Sequence, residues 1–427
     1  MAKIGKWISC LFLIIIASCS ALRPSIKTEG RATYAKNTIF IIVDGMGREY
    51  IKAARIYNGQ RPFSYENFTC STEVTTCSKE GLDSSGRCLG DDNGVTDSAA
   101  AATAMATGIK VNNGVISQEI SEKPNDLETI LELAKRLKKS TGIVSTKLFS
   151  DATPAAFVSH ANHRDLTEEI VKDIFSETRP NVVFGADNEF HRKIARTSST
   201  PYHMVHTAAD LNALASVIAL DGPCDNFTCP YVYGGFGEHD LIPHVFPGKS
   251  GLPLEITASS YFSEHDIPHL SQMTKSALTI LSKNGSGFFL MVESSMPDVI
   301  GHNHFNIDEI GSSPRAIEAL VKEMLEVDNT MKILDAFLAE HPDTLVVLTA
   351  DHETGGLEVL EHETDCVGQH GCIPQVRWHA KRYDASPDSL AKHTGVNVPL
   401  YAKGLGAERF CRDRIDNTDI PRLVVTK

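Results

Sequence analysis

The sequence predicts an α/β fold: a largely parallel central sheet with helices on both faces, carried by one domain over residues 37–427 with loop insertions near 58–93 and 192–263. Three observations predict it. Short apolar runs alternate with amphipathic stretches of helical period through most of the 427 residues, and strand, helix, strand in that order implies parallel pairing. Three of the runs end in a carboxylate, as strands do when they deliver ligand-binding groups to the carboxyl edge of an open parallel sheet. The composition, 42% hydrophobic and 22% charged with 30 Gly and 19 Pro, is that of a globular chain and excludes disorder, a collagenous repeat and a polytopic membrane protein.

Taken in order, the chain opens with Lys3 and Lys6 before a mainly apolar run from Trp7 to Ala17. That run is too short to cross a bilayer, and residues 1–18 read as an export signal. Ile16-Ala17-Ser18-Cys19 resembles a lipobox, in which Cys19 becomes the lipidated first residue; the alternative is ordinary cleavage a few residues later with Cys19 discarded. Strands are expected at 38–43, 142–145, 181–184, 288–292, 345–349 and 398–402. Helices are expected at 126–139, where Leu127, Ile130, Leu131, Ala134 and Leu137 share a face, and at 166–177, 272–283 and 314–340. The alanine-rich run after Ser98 is a strong helix former, and Gly108 is placed to end it. Residues 58–93, rich in Ser, Gly and Cys, and 192–263, where turn residues dominate, read as loops or insertions.

The 41 basic and 54 acidic residues give a formal charge of −13, and no basic run occurs, so no specific nucleic-acid binding is expected. Setting aside Cys10 and Cys19 leaves an even number of cysteines, which in an exported chain favours disulfides. The close pairs Cys224/Cys229 and Cys366/Cys372 are the expected bridges, while Cys70, Cys77, Cys88 and Cys411 cannot be paired from sequence. A structural zinc cluster is the rival reading, and no CxxC doublet supports it. Sequons at Asn67, Asn226 and Asn284 permit glycosylation in a eukaryotic source.

The chemistry lies in where metal-competent side chains fall. Asp44 follows Ile-Phe-Ile-Ile-Val, Glu293 follows Phe-Phe-Leu-Met-Val, and Asp351 with His352 follows Leu-Val-Val-Leu-Thr-Ala. One Asp after a strand is commonly a turn residue; three in one sheet point to a metal site with more than one ion. Asp298 and His302, spaced i, i+4, place a carboxylate and an imidazole side by side, and His393 precedes the last strand and could complete their set. Mixed nitrogen and oxygen ligands suit Zn2+, an all-oxygen set Mg2+. Ser98 stands where a helix N-terminus would stabilise an anion and a developing alkoxide.

These pieces resemble the alkaline phosphatase family. They are Asp44-Gly45-Met46-Gly47, Val95-Thr96-Asp97-Ser98-Ala99, Asp151-Ala152-Thr153-Pro154-Ala155-Ala156 with His163-Arg164 after it, Phe288 to Glu293, Thr349 to Gly356, and His393-Thr394-Gly395, in the family's order. The resemblance implies two Zn2+ and one Mg2+. Asp298, His302 and His393 would hold one zinc and Asp44, Asp351 and His352 the other; Asp44, Thr153 and Glu293 would hold Mg2+, with Asp151 reaching it through water. It further implies Ser98 as nucleophile, Arg164 as a fork on two phosphoryl oxygens, phosphate monoesters as substrates and a homodimer. Membrane association would come only through a lipidated Cys19.

One departure stands out: Val299 follows Asp298 where many relatives carry Lys, His or Trp near the Mg2+ position, so Mg2+ affinity and pH optimum should differ from theirs. A phosphodiesterase of the same superfamily is the alternative, against which Thr153 and Glu293 together argue. A sulfatase would need a Cys-x-Pro-Ser-Arg motif that the chain lacks, and a phosphate-binding protein without turnover would not need a full ligand set plus nucleophile.

Overall fold

A computed structural model describes residues 34–89, 94–119, 125–225, 228–238, 265–308, 315–360, 368–380 and 390–424. The expected signal at 1–18, Cys19, Asn226, Cys366 and Pro314 lie outside the described residues.

Among the described residues ten strands form one sheet. In chain order they are β1 (Asn37–Val43), β2 (Cys70–Thr75), β3 (Ser140–Leu148), β4 (Val182–Asp187), β5 (His203–Val205), β6 (Val232–Glu238), β7 (Phe288–Ser294), β8 (Thr344–Thr349), β9 (Val398–Gly404) and β10 (Arg414–Asp416). Their spatial order is β10-β2-β9-β8-β1-β7-β3-β4-β6-β5. Pairing is parallel from β8 through β1, β7, β3, β4 and β6 to β5, whereas β9 is antiparallel to both its neighbours, β8 and β2. The sheet is therefore largely parallel, as the sequence predicts, with one reversed strand that it does not reveal. β1, β7 and β8 are buried along their whole length, which is why they read as unbroken apolar runs rather than alternating ones.

The helices are α1 (Arg48–Tyr57), α2 (Ser98–Thr107), α3 (Ile130–Arg136), α4 (Ala152–Val158), α5 (Thr167–Asp173), α6 (Glu189–Thr197), α7 (Ala208–Leu220), α8 (Leu270–Leu281), α9 (Met296–Asp308), α10 (Arg315–Glu340) and α11 (Ile420–Val424). α2 is buried on every side, and its alanines let it pack against α4. α3 begins later than the 126–139 pattern suggests because Thr129 caps it. The Thr129 hydroxyl accepts from the Glu132 N–H at 3.1 Å and the Glu132 carboxylate accepts from the Thr129 N–H at 2.9 Å. Leu137, at its C-cap, is exposed rather than part of the buried face.

The two stretches read as loops or insertions contribute strands to the sheet. β2 lies inside 58–93 and joins β9 to β10, and β5 and β6 lie inside 192–263 and extend the opposite edge. β6 was hidden by its glycines, which are there because neighbours occupy the space. A Cβ on Gly235 would lie 2.0 Å from the Asp187 carboxylate, and one on Gly234 would lie 2.4 Å from the Phe236 ring. Disulfides join Cys70–Cys411, Cys77–Cys88 and Cys224–Cys229; Cys372 is also bridged, while its expected partner Cys366 is outside the described residues. The sequon residue Asn284 is buried and donates to the Lys138 carbonyl at 3.0 Å, whereas Asn67 is exposed.

Candidate active site

The carboxyl edge of the sheet collects the expected residues. Asp44 follows β1, Glu293 lies near the end of β7, and Asp351 and His352 follow β8 just beyond Ala350. Asp151 and Thr153 come from the turn after β3 and the first turn of α4, and Asp298 and His302 from α9. His393 reaches the same edge because β9 is reversed: pairing runs from Leu345↔Gly404 to Leu348↔Tyr401, so the start of β9 lies beside the end of β8.

Two trios converge. Asp298, His302 and His393 form one and Asp44, Asp351 and His352 the other, each offering ligand atoms within 4.8 Å of one another. In the first, His393 Nε2 lies 2.9 Å from His302 Nε2, and Asp298 Oδ1 lies 3.3 and 3.6 Å from those two nitrogens. In the second, His352 Nε2 is 3.2 Å from Asp351 Oδ2 and 3.7 Å from Asp44 Oδ1. Backbone carbonyls face the far ring nitrogens: His302 Nδ1 is 2.5 Å from the Ala391 oxygen and His393 Nδ1 is 2.9 Å from the Thr96 oxygen. This leaves Nε2 as the inward atom, the way ligating histidines are oriented. Thr354 ties the trios together, its hydroxyl donating to Asp298 Oδ1 at 2.5 Å and lying 3.2 Å from His352 Nδ1. Gly45 at φ +76° lets the chain turn under them and gives its N–H to Asp351 Oδ1 at 3.2 Å; a Cβ there would press on the Asp298 backbone at 2.7 Å.

The electrostatics describe a site short of positive charge. Burial, then repulsion from Asp351, Asp298 and Glu293, raises Asp44 well above the usual carboxylate range. Burial and Asp298 push Asp351 up to about 7, and burial with Asp151 pushes Glu293 up to about 8. His393 is pushed down to about 4 by burial, and His352 goes well below its ordinary value for the same reason, aided by His393. Asp44 Oδ1, Asp351 Oδ2 and Glu293 Oε1 are buried without a hydrogen-bond partner. Unpartnered carboxylate oxygens beside neutral imidazoles are what a divalent cation satisfies, so the residues present fit metal binding.

Ser98 opens α2, but the helix cap is its neighbour Asp97, whose carboxylate accepts from the Ala100 N–H at 2.9 Å. With the capping role taken, the Ser98 hydroxyl faces the trios, 3.2 Å from His352 Nε2. Arg164 lies alongside, 3.3 Å from Asp97 Oδ2 and 3.5 Å from Asp151 Oδ1. Burial works against its charge, but Asp151, Asp97 and Asp44 outweigh that and hold it protonated. Thr153 is buried, its hydroxyl 3.4 Å from Asp44 Oδ2, and Glu293 Oε2 accepts from the Ser145 hydroxyl. Sequence reasoning missed Asp97 as cap and anchor, Thr354 as bridge, and Lys147, whose ammonium is 3.2 Å from Asp151 Oδ2. Only the i, i+4 spacing of Lys147 and Asp151 could have drawn attention to that pair, and on a strand end such spacing carries no rule.

A serine hydroxyl turned toward clustered metal-competent ligands at the carboxyl edge of a parallel sheet defines the class as a metal-binding hydrolase. The alkaline phosphatase family model matches residues 35–212 and 249–382, and the chain belongs to that family. Alkaline phosphatase 3 of Bacillus subtilis is 32% identical over 421 residues, covering 94% of this chain and 75% of its own. The Escherichia coli alkaline phosphatase is 29% identical, with 90% and 83% covered. The alkaline phosphatase of the Antarctic bacterium TAB5 shares the fold with a TM-score of 0.66 at 23% identity, covering 92% of this chain and 98% of the other. A cold-active alkaline phosphatase from a psychrophilic Shewanella gives 0.66 at 25%, covering 91% and 98%. The protein is accordingly an alkaline phosphatase enzyme, a hydrolase of phosphate monoesters.

Proposed function

We propose that the chain hydrolyses phosphate monoesters through a phosphoserine on Ser98, with Zn2+ in each trio and Mg2+ beside the second. The observation that carries this reading is the Ser98 hydroxyl at the N-terminus of α2, 3.2 Å from His352 Nε2. Free N–H groups and the helix dipole favour both an alkoxide at Ser98 and a phosphoryl anion next to it. Arg164, held by Asp97 and Asp151, directs its guanidinium at two phosphoryl oxygens. Ser98 attacks phosphorus in line and expels the alcohol, and water then cleaves the phosphoserine to release inorganic phosphate. Zinc held by Asp298, His302 and His393 and by Asp44, Asp351 and His352 would supply a lower pKa for the serine hydroxyl, charge to offset the leaving alkoxide and an activated water. Asp44, Thr153 and Glu293 would hold Mg2+, with Asp151 acting through water; a mutant of the TAB5 enzyme, 24% identical, has Mg bound.

We place the mature protein outside the cytoplasm, on the signal-like residues 1–18 and on disulfides that persist only under oxidising conditions. Whether Cys19 is lipidated or discarded decides its anchoring, and no described helix is long and apolar enough to cross a membrane. By family likeness we take it to be a homodimer. The test is hydrolysis of p-nitrophenyl phosphate with and without a chelator, and in Ser98→Ala. Activity is expected to vanish in both cases, with a phosphorylated Ser98 peptide recovered after acid quench; turnover surviving both treatments, or a faster bis-ester, overturns the reading.

A further inference from the structure

A protein cation stands against Asp151, the carboxylate expected to reach Mg2+ through water. Lys147, near the end of β3, sets its ammonium 3.2 Å from Asp151 Oδ2, and Arg164 faces Asp151 Oδ1 at 3.5 Å, so both oxygens of that carboxylate are engaged. Ser145, on the same strand, pairs in register with Glu293 across to β7 and donates to its Oε2. The Lys147 N–H in turn donates to the Ser145 oxygen at 2.9 Å, which fixes the strand end from which the lysine departs. Val299, which follows Asp298, is apolar and packs against the hydrophobic core.

From this placement we propose that Lys147 is a resident cation of the third metal position, which anchors Asp151 for the Arg164 clamp and competes with Mg2+ for the site. The inference rests on the metal-dependent reading above. Mg2+ binds with most of its water shell and uses a carboxylate such as Asp151 as an outer partner. Here that partner is held by an ammonium, and a dication bound to Asp44, Thr153 and Glu293 would be repelled by the same charge. Lysine supplies one positive charge where Mg2+ supplies two, without a dissociation equilibrium. Lys147 is thus a positioning residue that acts through Asp151, and it makes the third metal weakly held.

The experiment compares the zinc-loaded wild type with Lys147→Met and Lys147→Arg. Metal analysis after gel filtration gives zinc and magnesium per chain, and calorimetric titration with MgCl2 gives affinity. We expect zinc to be equal in all three. Magnesium should be substoichiometric in the wild type and in Lys147→Arg, and bound about tenfold more tightly or better in Lys147→Met. A full equivalent of magnesium retained by the wild type overturns the proposal, as does an affinity unchanged in Lys147→Met. Because the wild-type measurement stands alone, a poorly folding variant does not rescue the idea. A chain that takes up no zinc would instead overturn the zinc reading.

Discussion

Asp351 and Asp187 are both buried carboxylates at carboxyl ends of strands in one sheet, yet they do opposite things. Asp187, at the end of β4, is met by Arg192 Nη1 at 2.7 Å on one oxygen and by the Tyr233 hydroxyl at 2.5 Å on the other. Asp351, beyond β8, keeps Oδ2 without a hydrogen-bond partner and has His352, Asp44 and Asp298 for neighbours. The first region neutralises its buried charge with protein; the second accumulates negative charge beyond what protein cations offset. A carboxylate at a strand end is therefore not the signature of a site, whereas one left without a protein cation is.

Substitution separates the two most strongly. Asp351→Asn removes a proposed ligand and is expected to lower phosphatase turnover by more than about a hundredfold, beyond the effect of losing a ligand's outer partner. Zinc content should fall, while the metal-free fold is retained because a repelling charge is gone. Asp187→Ala leaves Arg192 and the Tyr233 hydroxyl without that partner and should cost about 3–5 kcal/mol of stability with zinc content unchanged. Metal analysis and denaturant unfolding of both variants check the contrast, and zinc loss in Asp187→Ala would dissolve it.

A pH series on metal-free protein gives a smaller effect. Asp351 near 7 and Glu293 near 8 are raised above their unfolded values, so the stability tied to their protons is lost as pH rises through those folded values. His393 and His352 are depressed and favour folding as pH rises, but only up to the unfolded histidine value of about 6.5. Between about pH 6.5 and 8 the carboxyl groups therefore dominate, and the metal-free protein should lose about 2 kcal/mol, read as the midpoint of urea unfolding. Zinc should remove the share of the slope that belongs to Asp351, while Glu293, assigned to the Mg2+ position, keeps its own; an identical slope with zinc bound would mean that Asp351 does not meet the metal.

The contrast also explains what could be read in the sequence. The central strands were legible because burial on both faces makes them continuous apolar runs, and Asp44, Glu293 and Asp351 because each follows such a run. His393 could be suspected but not placed, since the reversal of β9 is a property of sheet order and leaves no periodic trace. β2 was obscured by the Ser, Gly and Cys around it, and β6 by Gly234 and Gly235, whose role is to make room for Phe236 and Asp187 rather than to turn the chain. Nor did the chain distinguish Asp187 from Asp351, because the cations that decide the matter come from elsewhere: Arg192 from α6 for one and, among the described residues, no lysine or arginine for the other. Lys147 escaped for the same reason, as its partner lies around the turn from β3 into α4.

The finest test of the same contrast is Thr354→Val, which alters no ligand and no charge. Thr354 donates to Asp298 of one trio and faces His352 of the other, so it ties the position of one trio to that of the other. Valine keeps the branched shape and removes the hydroxyl, freeing Asp298 to rotate and removing the Thr354 hydroxyl from His352 Nδ1. Loss of such an outer partner weakens zinc by about tenfold at the low end of the known range. Competition against a chelator should therefore show both zinc ions leaving more readily, in contrast to Asp351→Asn, where one is lost outright. Unchanged zinc affinity would mean that the trios are held by backbone and packing alone, and that Thr354 belongs with Asp187 among the structural hydrogen bonds of the edge.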